Sequence, residues 1–504
     1  MSDGKSSTLE RFKRSARVLK KAYAEGEAQA LARVAAHTLP DKSLKHADFL
    51  HVIACEAGQD SWPKLKFALE TTAMNRRERA ERLKIALFHG QHWVTEKLLA
   101  GEPDLKDDDF GLQIALLDLS AVHAVLAADP SAAVRTIGVR SPILHLAYSR
   151  EVHRSPEKAE DMMAIAALLV ANGADVDDGY AQRPGEGKLS ALYGALCHAD
   201  NYELGRWLLE RGANPNDNES LYHSTELEHS RALRLLLDFG AIPDGTNALP
   251  RALDFESEEK VRLLLSAGAS PNVTEPDLPG GMPMNSIPSL HHAIRRGRSA
   301  RIVDLLLEFG AEAKAVWCGH TAYATALIYG NGPAARFLGE RGYASPLSDT
   351  ESVLAGCAES PAQTGRLDPA HLTKADRCLL TELAATPGRL EHLEALVRSG
   401  FDPDMTDHMG LSPLQIAGWN GLVPEMAYFL SLGPDLTRKN GYGGDALDTV
   451  VHGAEFAPKR PEADHIACAR LLLEAGSVLY PAYIAGCGNE DMAAFLEDWR
   501  DTRR

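Results

Sequence analysis

The chain has 504 residues, more than one compact core accommodates unless it is elongated or modular. It is 45% hydrophobic, 24% charged and only 6% aromatic, with a formal net charge of −17; no apolar run is long enough to span a bilayer, and the start, MSDGKSSTLERFKRSARVLKK, lacks a secretory apolar stretch. Seven scattered cysteines, an odd number without a CxxC, indicate neither a disulfide framework nor a zinc knuckle. The expected location is therefore a reducing cytoplasm, with secretion by a route that needs no cleaved signal left open.

Residues 1–90 hold 17 Lys/Arg against 11 Asp/Glu, and the remainder 36 against 59. The acidic body argues against a nucleic-acid partner, since phosphate contacts need a basic face. In chain order, residues 7–70 read as four helices broken near Gly26 and Gly58. The basic run RFKRSARVLKK (11–21) reads as a solvated helix face; the competing reading is a tether to an acidic partner or membrane. LKIALFHGQHWVTEKLLAGEPDL and residues 111–130 read as weak helical pairs. From SPILHLA (141–147) onward a pattern repeats. A short helix opens with Ser or Thr as cap and often proline in its first turn. A leucine-rich helix follows, then glycine, then Asp/Asn/Pro turn chemistry. AIAALLVANGADVDD (164–178), GRWLLERGANPND (205–217), RALRLLLDFGAIPD (231–244), VRLLLSAGASPN (261–272), IVDLLLEFGAEA (302–313) and ARLLLEAGSV (469–478) are its second halves. SALYGAL, PSLHHAI, TAYATAL and SPLQIAG (412–418) begin further units.

SPILHLA and SPLQIAG resemble the TPLHxA signature of the ankyrin repeat, and ALLVANGADVDD resembles its LLxxGAxxN signature. The resemblance covers roughly residues 84–498, about ten or eleven units. It implies an all-α ankyrin-repeat solenoid of stacked helix-turn-helix units with a helical N-terminal cap. DSWPKLK resembles a helical leader that precedes such arrays in some bacterial proteins; there Ser61 caps a helix, Pro63 lies in its first turn and Trp62 anchors the packing. The expected division is a leader over 1–80 seated on the first weak repeat, a first stack over 81–342, an insertion or degenerate repeat over 343–377, and a second stack over 378–504 ending in a capping helix. Tyr193, Pro250, Ala324, Gln415 and Asp448 stand where the signature histidine belongs. Further insertions swell the connections at 150–161, 178–188, 274–287 and 453–464.

No catalytic residue, metal or cofactor is expected. RPGEGKLSALYGAL has Gln182 where a phosphate loop needs glycine. GYGGD (441–445) follows no strand, and Asp107, Asp108 and Asp109 lack EF-hand spacing. His291 and His292 are adjacent on a helix and cannot chelate together; His291 occupies the signature column and is expected to satisfy turn backbone. Cys318, Cys357 and Cys378 are nucleophiles only beside a base that stabilises thiolate, and buried packing is the default. Ser412 reads as a helix cap.

The resemblance implies a non-catalytic scaffold that binds a protein, basic in character, through fingers and first helices, as a monomer. An enzyme or small-ligand site built from the insertions is the alternative. Carried over by register, the surface positions are Trp317, Cys318, His320, Ile328 and Tyr329 in one unit; His408, Met409, Leu411, Trp419 and Asn420 in another; and Tyr442 in a third. Aromatics at such positions are typical binding anchors.

Overall fold

The computed structural model describes residues 3–37, 44–181, 187–273, 287–363, 365–368 and 371–502. The insertion at 274–287 and Gln182 thus fall almost wholly outside the described residues. Among the described residues the fold is all-α apart from two short antiparallel hairpins, Gly179–Ala181 with Lys188–Ser190 and Val316–Trp317 with His320–Thr321. The chain forms two compact units. A middle unit comprises Met74–Ala326 and Asn331–Ser345; an end unit comprises Met1–Ala73, Leu327–Gly330 and Pro346–Arg504.

In the middle unit each repeat is a short helix followed by a longer one, such as Pro142–Ala147 then Ala159–Ala171, or Ser289–Arg295 then Ala300–Glu308. The leucine faces bury completely: Leu233, Leu236, Leu264, Leu306 and Leu338 are all 0% exposed. The second helices end as the glycines predict. Gly240 has φ 87, its N–H donates to Leu237 O and that of Ala241 donates to Leu236 O. This paired closure requires a left-handed residue at the turn. The Asp/Asn turn residues do more than turn. Asn216 Nδ2 donates to Gly240 O at 3.4 Å and its Oδ1 accepts from Ile242 N at 2.8 Å. Asn272 repeats both bonds with Gly310 O and Glu312 N, at 2.8 and 2.9 Å. These side chains stitch one repeat's turn to the next and satisfy backbone groups at the helix ends.

In the end unit the leader is helical over Asp3–Ala24, Ala28–Ala35, His46–Glu56 and Trp62–Thr71. Gly26 and Gly58 are left-handed, at φ 77 and 78. Ser61 Oγ accepts from Lys64 N at 3.4 Å, with Trp62 5% exposed beneath. Within the end unit the leader packs on the last helix, Glu490–Thr502. Asp491 Oδ1 accepts from Ala47 N at 2.8 Å, capping the helix His46–Glu56 from outside. Lys66 pairs with Glu490 at 2.9 Å and Arg17 with Glu497 at 3.0 Å. Part of the basic run is therefore neutralised internally, while Arg11, Arg14 and Lys21 stay exposed. The segment 343–377 contains the helix Asp349–Glu359, whose Leu354 and Cys357 join the end unit's core. The insertion at 150–161 folds as short helical turns, Glu151–Arg154 and Pro156–Lys158.

Candidate interaction surface

The fingers of the end unit are built from asparagine and aspartate. Asp407 Oδ1 accepts from Met409 N and Leu411 N, both at 2.9 Å. Asn440 Oδ1 does the same for Tyr442 N at 3.0 Å and Gly444 N at 3.1 Å. Short polar side chains that bond their own backbone fix tight turns this way. The two fingers then pair, Gly441 N donating to Met409 O at 2.8 Å. At the tips His408 is exposed, Met409 is half-buried and Tyr442 is 77% exposed, its hydroxyl 3.0 Å from Met409 Sδ. Leu411 is half-buried against the core.

Behind the fingers stand the first helices, Pro413–Trp419 and Ala446–Phe456. Ser412 is a cap: its Oγ accepts from Gln415 N at 3.3 Å, and Gln415 Oε1 accepts from Ser412 N at 3.1 Å. This is a reciprocal capping box. Gln415, in the histidine column, donates from Nε2 to Arg438 O at 3.3 Å. His291 makes the corresponding bond to His320 O at 3.2 Å, and burial holds its imidazole down at about 4, hence neutral. Trp419 lies half-buried at the helix end, 5.4 Å from the His452 ring, and His452 lies 4.5 Å from Phe456. His452 is exposed and Phe456 is 58% exposed. These three rings form a continuous row across two repeats.

His452 and Phe456 escape the sequence reading. The signal exists, since His452 follows Trp419 by one repeat of 33 residues, but a connection over 453–464 implies that the helix stops before Phe456. Four predicted surface positions are corrected by burial. Tyr329 is 7% exposed, its hydroxyl donates to Glu382 at 2.8 Å, and its neighbour Ile328 is 2% exposed; both belong to the core. The chain returning through Lys374–Leu383 covers them. Asn420 is 8% exposed and donates to Ile416 O at 2.9 Å, finishing its helix. His320 is 8% exposed in the middle unit's hairpin, paired with Trp317 across Cys318 and Gly319. Trp317 itself is half-buried, 6.2 Å from the His291 ring, and Cys318 is exposed.

At the last finger Tyr480 is 47% exposed, edge-on to Tyr483 at 5.4 Å. Tyr483 Oη donates to Asp445 at 2.6 Å, where Lys439 also pairs at 2.9 Å. Burial followed by the Asp445 charge raises the Asp448 carboxyl. Burial also raises the thiols of Cys357 and Cys468, the latter to about 12, so both are poor nucleophiles at neutral pH. Among the described residues no group of three His, Cys, Asp or Glu is placed to hold a metal, and no helix is long and apolar enough to cross a membrane.

No protein-family model matches the chain, and no curated protein matches it. Among solved structures it is similar to the ankyrin repeat domain of Bcl-3, a unique member of the IkappaB protein family, at 19% identity and a TM-score of 0.23, with 52% of this chain and 99% of that one covered. At that TM-score the likeness carries no argument about partner or mechanism.

Proposed function

We propose that the chain is an ankyrin-type, non-catalytic scaffold that holds a protein or peptide on the fingers and first helices of its end unit. The observation that carries this reading is the ring row Trp419–His452–Phe456, half-buried at Trp419 and exposed at His452 and Phe456, with Tyr442 on the adjoining finger tip. Large rings left in solvent on a rigid helical face supply contact area at little entropic cost. In a chain only 6% aromatic, their gathering there is a specific feature. The partner is basic in character, because the surrounding body is acidic and Asp448 and Glu455 share the helix that carries His452. The protein acts in the cytoplasm and as a monomer. The leader serves as a cap, as in the bacterial arrays its DSWPKLK motif resembles.

The test is affinity capture from the native cell with wild type, a Trp419→Ala/Phe456→Ala variant and a Tyr442→Ser variant, scored for proteins lost. The reading expects one protein to disappear from both variants while their far-UV circular dichroism and melting stay near wild type. Retention of every captured protein by both variants sinks it. A Trp317→Ala variant reports separately on the middle unit.

A further inference from the structure

A second surface lies in the middle unit and has the opposite charge character. A cleft of about 1080 Å³ opens between the helix Arg76–His89, the turn Ile137–Arg140 and the helix Pro142–Ala147. Its carboxylates are already engaged. Asp108 pairs with Arg76 at 2.7 Å, and Asp109 and Glu81 pair with Lys84 at 2.5 and 3.0 Å. Asp109 also caps its helix through Leu112 N at 3.1 Å. Two further cations lining the cleft have no such partner. Arg77 is exposed and forms no ion pair among the described residues. The Arg140 guanidinium stacks on the rings of Phe88, Tyr180 and Tyr148 at 4.3, 4.7 and 5.1 Å, with one N–H donating to Tyr180 Oη at 3.0 Å. Its Nε is buried without a hydrogen-bond partner.

An arginine held among aromatic rings keeps its charge, and the bond to Tyr180 Oη fixes one of its donors. The excess positive charge is felt nearby. His89 is held below its ordinary value by burial and then by Arg150, Arg82 and Arg140. His198 is pushed down to about 4 by burial, with Arg150 and Arg140 adding to it. The lining also bears two bare apolar side chains, Ile85 at 49% and Val139 at 71% exposure.

We propose that this cleft binds an acidic, partly apolar peptide segment of a partner protein, its carboxylates pairing with Arg140 and Arg77 and an apolar side chain covering Ile85 and Val139. Charge complementarity fixes the class of occupant. A polyphosphate strand or a single inorganic anion leaves the apolar side chains of Ile85 and Val139 uncovered. The volume suits several peptide side chains.

The test is fluorescence anisotropy of the full chain with a labelled peptide alternating Glu and Leu, beside its Gln–Leu and Lys–Leu counterparts. The Glu–Leu peptide saturates the protein, and the other two bind at least tenfold more weakly. Arg140→Gln and Arg77→Gln each weaken the Glu–Leu peptide roughly tenfold, the loss of one charge-assisted pair, and Val139→Ser weakens it severalfold. Arg77 and Val139 are exposed, so their variants stay folded even where Arg140→Gln disturbs the ring cluster. Equal binding of the three peptides overturns the proposal, as does indifference to Arg77→Gln together with Val139→Ser. Stoichiometric displacement by inorganic phosphate overturns it too, by making the cleft a simple anion site.

Discussion

Gly453 sits on the helix Ala446–Phe456 where it crosses the end of Pro413–Trp419. A Cβ placed there falls 2.3 Å from Trp419 O and 2.9 Å from both its carbonyl carbon and its Cα. These are backbone atoms and cannot rotate aside. Ordinary contact is about 3.5 Å or more, so Gly453→Ala forces the helices about 1 Å apart. The move also strains the bond from His465 Nε2 to Trp419 O at 2.9 Å. Overpacking of this kind costs about 1–3 kcal/mol, and an unyielding backbone puts it near the upper end. Alanine returns about 1 kcal/mol of helix propensity, leaving a net loss of about 2 kcal/mol. Gly356, inside the helix Asp349–Glu359 of the same unit, has nothing within 4 Å of its would-be Cβ. The same chemical change there keeps only the propensity gain and stabilises by about 0.5–1 kcal/mol. Urea unfolding by far-UV circular dichroism measures both, and the two variants bracket wild type. Gly453→Ala as stable as wild type refutes the close approach of the helices, and with it the ring spacing on which the proposed surface rests.

Asp491→Ala removes the outside cap on His46–Glu56, so the end unit loses about 1 kcal/mol in urea melts; unchanged stability means the leader is not held there. Tyr329→Ala loses about 3–5 kcal/mol, as a core ring does, whereas a merely surface position shifts the same melt by under about 0.5 kcal/mol. His223 faces Glu219 at 3.2 Å and Glu226 at 2.8 Å. Burial opposes its charge, but the two carboxylates outweigh it and raise its value to about 9. Its contribution is complete below the unfolded value near 6.5 and disappears as pH rises through about 9. Unfolding from pH 6 to 10 shows a stability loss that His223→Gln flattens. His46 behaves oppositely: burial, then Lys20, Arg17 and Lys13, hold it at about 4 against Glu490. Acidification from about 6.5 to 4 therefore loosens the leader, and an acid melt of His46→Gln loses that component.

What was legible in the sequence is what local chemistry controls. Ser412 caps because proline follows it and Gln415 stands three residues on. Gly240 ends its helix because a Cβ is costly there, and Ser61, Trp62 and Pro63 take their expected places. What depends on a distant neighbour was not legible. Tyr329 shares a pattern position with surface residues in other repeats, and only Glu382, 53 residues away, reveals that it is covered. Asn420 faces inward because its amide completes its own helix. The exposed tips, His408 and Tyr442, were readable because turn chemistry points a finger outward whatever packs behind it. Phe456 escapes because the connection is read as starting at 453, whereas the helix runs on to the breaker Ala457–Pro458, where Ala457 turns extended.

The contact between the leader and the last helix also orders events in time. Ala47 N and its acceptor Asp491 are 444 residues apart. At roughly 5–20 residues per second of synthesis, the partner of this helix leaves the ribosome about 20–90 s after it. Throughout that interval the repeats between them are made. The helix His46–Glu56 thus waits for its outside cap until the chain between them has been made.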